Sequence, residues 1–133
     1  MTKDGFSTLF FDTGAVLAAA RRDRRVQLYL DLAKRYGAGL HMSALTRAEL
    51  MRGSDELAIG WAISNFRIQR VSDLDCVRAA ELMAETGAGG RTVDALIAVA
   101  ALQLPRPVVV LTSDPKDMNL LLAGQPDVAV VPV

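Results

Sequence analysis

Between Thr92 and Asp117 the chain reads TVDALIAVAALQLPRPVVVLTSDPKD, and this stretch limits what the remainder can be. Leu96, Ile97, Ala100, Ala101 and Leu104 recur at helical spacing, which predicts a helix with one apolar face. Thr92 is its expected N-cap, and that puts Asp94 in the first turn. Pro105 and Pro107 end the helix, since neither can continue its hydrogen bonding. Val108 to Leu111 is apolar on both faces, as in a strand covered by helices on both sides. The chain leaves it through Thr112, Ser113 and Asp114. In open parallel sheets ligands bind at the carboxyl ends of strands, and Asp114 stands at such an end.

The same alternation runs through the chain. Thr8 to Phe11 is a short apolar run ending in Asp12, Thr13 and Gly14, and Ala15 to Ala20 starts a helix. A second helix turns Val26, Tyr29, Leu30, Ala33 and Tyr36 inward and stops at Gly37 to Gly39. Leu40 to Ser43 is a brief strand. Ser43 caps the helix ALTRAELMRG, which holds Glu49 and is terminated by Gly53. Ser54 opens a helix with Ile59, Ala62, Ile63 and Phe66 inward, and Phe66 to Val71 resembles a strand. Asp73 to Thr86 is expected to face inward with Val77, Ala80, Met83 and Ala84, and Cys76 to be a small buried hydrophobe. Gly87 to Gly90 is a flexible connection, Asn119 to Ala123 completes a helix, and Val128 to Val131 is a last strand. Strands alternating with helices predict right-handed βαβ units. The expected fold is one three-layer α/β/α domain over residues 1–133, with a central parallel sheet of about four or five strands.

Composition removes several classes of function. The chain is 51% hydrophobic, which excludes disorder, and no apolar run reaches the roughly 20 residues of a membrane helix. MTKDGFSTLFFD lacks the continuous apolar region of a signal peptide and reads as the start of the fold. The single Cys76 forms no internal disulfide, and no Cys/His spacing suggests zinc. A cytoplasmic protein with no membrane partner is expected. With 15 basic and 15 acidic residues, binding to nucleic acid would need a local field or a metal. Arg21, Arg22, Arg24 and Arg25 are either a solvated helix end or a phosphate-facing patch. Trp61 suits core packing or a partner surface.

Each acid has an ordinary structural reading. Asp114 before Pro115 is a good N-cap, Asp117 and Asp94 suit the positive ends of helices, and a half-exposed helical Glu49 is common. Convergence changes this. Asp12 and Asp114 end strands on one edge of the sheet, and if those strands are neighbours the two acids lie close enough to share a cation. Asp94 and Glu49 lie on elements that reach the same edge. Such a cluster repels itself unless a hard cation neutralises it, and oxygen ligands suit Mg²⁺ or Mn²⁺, the usual tools of phosphoryl chemistry.

FFDTGAVLAA, SALTRAELMRG, RTVDALIAVAAL and VVVLTSDPKD, in this order, give the sequence a resemblance to the PIN-domain family. It resembles specifically the VapC-type ribonuclease toxins of bacterial toxin–antitoxin pairs. By that resemblance the metal-site acids fall on Asp12, Glu49, Asp94 and Asp114, with Asp117 a further acid and Thr112 a polar neighbour. Gly14 departs from the Ser or Asn frequent in relatives. The resemblance implies a metal-dependent endoribonuclease acting through metal-activated water. Asp12, Asp94 and Asp114 would be direct or water-mediated ligands, and Glu49 would position or deprotonate the water. It also implies a homodimer and a cognate antitoxin whose tail lies over the acidic groove. Three rivals stand beside it. A phospho-accepting receiver wants paired acids after its first strand, and Phe11 precedes a lone Asp12. A haloacid-dehalogenase-like phosphatase wants a second Asp where Gly14 stands. A PIN-like module kept only for binding would carry the same acids silent. No glycine-rich phosphate loop follows the first strand.

Overall fold

Thr8–Phe11 and Val108–Thr112, the two runs apolar on both faces, lie side by side at the centre of a five-stranded sheet. The computed structural model describes residues 5–52 and 56–133. In chain order the elements are β1 (Thr8–Phe11), α1 (Thr13–Ala20), α2 (Arg24–Tyr36), β2 (Gly39–Ser43), α3 (Ala44–Arg52) and α4 (Glu56–Asn65). There follow β3 (Arg67–Gln69), α5 (Asp73–Thr86), α6 (Thr92–Leu102), β4 (Val108–Thr112), α7 (Pro115–Leu122) and β5 (Val128–Pro132). The strand order is β3-β2-β1-β4-β5 and every pairing is parallel. Gly53 and Ser54, expected to end one helix and open the next, lie outside the described residues. Among the described residues no helix is long and apolar enough to cross a membrane.

Strand alternation splits the core in two. Leu9, Phe11, Val109 and Leu111 point to one side, where they pack with Ala15, Val16, Val26, Ala33, Leu50, Ala58 and Ala62 of α1 to α4. Phe10, Val108 and Val110 point to the other, against Ala79, Leu82, Ala95, Ala98, Met118 and Leu121 of α5 to α7. The result is the three-layer α/β/α arrangement, with the sheet buried on both faces as its apolar strands require. From β1 the chain builds β2 and β3 to one side, then crosses to build β4 and β5 on the other. The reversal falls between β1 and β4, and their carboxyl ends flank the crevice where such sheets bind ligands.

Several local expectations need correction. The buried face of α5 is Asp75, Ala79 and Leu82, whereas Val77 is 53% exposed and Cys76, Ala80 and Ala84 are exposed as well. Polar contacts set this phase. The Ser72 hydroxyl accepts from the Asp75 amide, the Asp75 carboxylate accepts from the Ser72 amide, and Gln103 Nε2 donates to Asp75 at 2.8 Å. Apolar residues are scattered round this helix, so hydrophobicity alone defined no unique face. On α4 the buried residues are Ala58 and Ala62, and Ile63 is exposed. β3 is confined to Arg67–Gln69, and α6 stops at Leu102, with Arg91 rather than Thr92 at its N-cap position. Trp61 joins the core, edge-on to Phe11 and Phe66.

The backbone hydrogen bond at Ser72 leads in holding the Asp75 carboxyl below its ordinary value. A depressed folded value means stability that is present above the ordinary carboxylate range and is lost as pH falls through the folded value. Asp75→Ala should therefore cost about 1–2 kcal/mol at neutral pH by denaturant unfolding. The gap to wild type should narrow on acidification, and a gap unchanged by pH would contradict this role.

Candidate metal centre

The register of the central strands builds the first part of the site. Phe11 pairs with Leu111, so Asp12 emerges beside Thr112, and the Asp12 amide donates to the Leu111 carbonyl at 3.1 Å. Asp12 also caps α1, its Oδ1 accepting from the Ala15 amide at 2.8 Å. Its Oδ2 accepts from the Thr112 hydroxyl and from the Ser113 amide. Thr112 Oγ1 in turn accepts from the Asp114 amide at 2.8 Å, which ties the two acidic strand ends together. At 6% exposure, burial pushes the Asp12 carboxyl up and the Asp114 charge adds to it, while its hydrogen bonds pull it down. Gly14 has a local reason. A Cβ there would lie 1.8 Å from Ser113 Oγ and 2.4 Å from Ser113 Cβ, so the serine side chain fills the space that a residue-14 side chain would need.

The second part comes from the helices on the opposite face. Asp94, Asp114 and Asp117 each offer a carboxylate oxygen within 4.8 Å of the others. Asp114 sits at the N-cap of α7 with Pro115 behind it, yet its side chain makes no capping bond. The capping explanation thus accounts for its position and leaves its carboxylate unused. Asp94 and Asp117 lie in the first turns of α6 and α7, whose positive ends favour negative charge. That help is partial. Burial, then Asp117, Asp114 and Asp12, push the Asp94 carboxyl up, and Arg91 pulls it down. Two carboxylates at such spacing repel by about 1–3 kcal/mol between water-like and surface dielectrics. Arg91 Nε lies 3.0 Å from Asp117 Oδ1. No helical or capping pattern in the sequence marks this arginine. Its only signal was its place one helical turn before Asp94.

Glu49 joins from α3 by another route. Thr13, next to Asp12, donates its hydroxyl to Glu49 Oε1 at 2.6 Å. The structure therefore gathers Asp94, Asp114 and Asp117 into one group, sets Asp12 against it with both oxygens hydrogen-bonded, and links Glu49 through Thr13. The grouped donors are all carboxylate oxygens, a set that fits a hard divalent cation such as Mg²⁺ or Mn²⁺.

Comparison with known proteins agrees with this architecture. The family model described as PIN domain matches residues 9–118. VapBC2 from Rickettsia felis, solved bound to a DNA fragment from its promoter, is similar with a TM-score of 0.71 and 18% identity, covering 95% of this chain and 98% of that one. A toxin–antitoxin complex from Klebsiella pneumoniae is similar with a TM-score of 0.68 and 23% identity, covering 92% and 96%. VapBC-1 from nontypeable Haemophilus influenzae is similar with a TM-score of 0.62 and 21% identity, covering 94% and 97%. At these identities the likeness is one of fold. No curated protein matches the chain.

The raised Asp94 carboxyl carries a stability cost. The folded chain holds this proton more tightly than the unfolded chain, so stability falls as pH rises from the ordinary carboxylate range through the raised value. Asp94→Asn should therefore melt higher than wild type at neutral pH in chelator, with the difference vanishing below about pH 4. A lower melting temperature for the variant would contradict this.

Proposed function

The chain belongs to the PIN-domain family, and we propose that it is a metal-dependent endoribonuclease, the toxin of a VapC-type toxin–antitoxin pair. The observation that carries this is the convergence of Asp94, Asp114 and Asp117 at the strand-order reversal, with Asp12 joined to Asp114 through Thr112. Family membership sets the receiver and phosphatase readings aside, and the full acid set speaks against a silent binding module. That the similar solved structures are described as toxin–antitoxin complexes supports an antitoxin partner. The homodimer is carried over from the resemblance alone.

A Mg²⁺ or Mn²⁺ ion bound here supplies an activated water and neutralises charge on the phosphodiester. Asp94, Asp114 and Asp117 are the carboxylates to hold it, with Asp12 a water-mediated or direct ligand. Asp12 also fixes the strand ends, because its hydrogen bonds to Thr112 and Ser113 hold the turn that presents Asp114. Glu49 gives Oε1 to Thr13, which leaves Oε2 to position the attacking water or take its proton. The Arg21 to Arg25 cluster suits the RNA backbone. Arg25 Nη1 donates to the Pro132 carbonyl at 3.0 Å, and Pro132 is the carboxyl end of β5, on the edge that carries the acids.

Purified protein free of antitoxin should cleave a mixed RNA pool with Mg²⁺ or Mn²⁺ and stop on addition of EDTA. Asp114→Asn and Asp12→Asn should each lose about 10²-fold or more in rate while retaining the wild-type circular dichroism. Cleavage that persists in EDTA, or in folded Asp114→Asn, would overturn the reading.

A further inference from the structure

We propose that Arg91 is a built-in counter-cation of the acidic cluster, competing with a divalent ion for Asp117 and Asp94 and so setting how tightly the ion is held. The inference rests on the reading of the cluster as a metal centre. Three carboxylates crowd together from the first turns and cap of α6 and α7, and one guanidinium faces them. Arg91 occupies the N-cap position of α6 but makes no side-chain capping bond. It pairs instead with Asp117 at 3.0 Å, and it stands one turn before Asp94 on the same helix. One positive charge against three negative ones leaves the cluster attractive to a cation, but less so than without it.

The two partners differ in freedom. The Asp117 side chain is 11% exposed and short, so it stays where α7 puts it. The Arg91 side chain is 44% exposed and long, so its charged end can move into water at little desolvation cost. The arginine is therefore the member that yields when a divalent ion takes the carboxylates. Guanidinium does not deprotonate at any working pH, so the positive charge on this side of the competition is constant, and added salt weakens it. Removing a pair that served only to join α6 to α7 would leave metal affinity unchanged or weaker, never tighter.

Mn²⁺ binding to the full chain, followed by the loss of the free-ion electron paramagnetic resonance signal, tests this directly. Arg91→Gln should bind Mn²⁺ about 3- to 10-fold more tightly than wild type at low ionic strength, and the gain should shrink at high salt. Arg91→Lys, which keeps the charge, should stay within about twofold of wild type, as the electrostatic account requires. In chelator Arg91→Gln should melt about 1–4 °C lower, and adding Asp117→Asn should restore the loss. Equal or weaker Mn²⁺ binding by Arg91→Gln would overturn the proposal, leaving Arg91 a structural tether or a positioner of Asp117. Absence of Mn²⁺ binding by both wild type and Arg91→Gln would instead sink the metal centre itself, and this inference with it.

Discussion

The parallel pairing of β1 with β4 is the constraint on which the rest depends. Phe11 opposite Leu111 makes Asp12 and Thr112 neighbours, and the hydroxyl of Thr112 then links the Asp12 carboxylate to the backbone of Asp114. A slip of one residue would turn Phe10 and Phe11 to the wrong layers and separate those groups at the same time. The pairing is held by the two cores, since both strands are buried on both faces. Packing energy thus fixes the position of polar groups that contribute little to packing.

At the strand ends the balance reverses. Asp94, Asp114 and Asp117 are held closer than isolated carboxylates would choose, and Asp12 is buried beside them. Helix N-termini, the hydroxyl and amide donors around Asp12, and the Arg91 guanidinium offset only part of the repulsion. A fold selected for stability alone would place amides here. Retained charge of this kind is what a site for a hard cation requires, which is why the proposed metal centre is placed here.

Much of this was legible in the sequence because few physical rules govern it. Strands apolar on both faces specified a parallel sheet, Pro105 and Pro107 marked the entry to β4, and β1 and α5 fall on the expected residues. The acids following β1 and β4 were legible as a pair because parallel strands share a carboxyl edge. What stayed hidden was set by side-chain contacts between distant segments. The phase of α5 is decided by Ser72, Asp75 and Gln103, so an apolar count chose Val77 and Cys76 for the wrong side. Arg91 had no pattern to announce it, because its meaning comes from Asp117 on another helix. The close approach of Gly14 to Ser113 likewise exists only once β4 lies beside β1.

The most direct test of the account is anomalous diffraction at the manganese edge from crystals soaked in Mn²⁺. The account predicts a peak about 2 Å from carboxylate oxygens of Asp94 and Asp114, beside Asp117 and Asp12. Such a peak would place a divalent ion at the reversal between β1 and β4. A saturated crystal with its strongest peak elsewhere, or with these carboxylates unliganded, would contradict the claim that they form one metal centre.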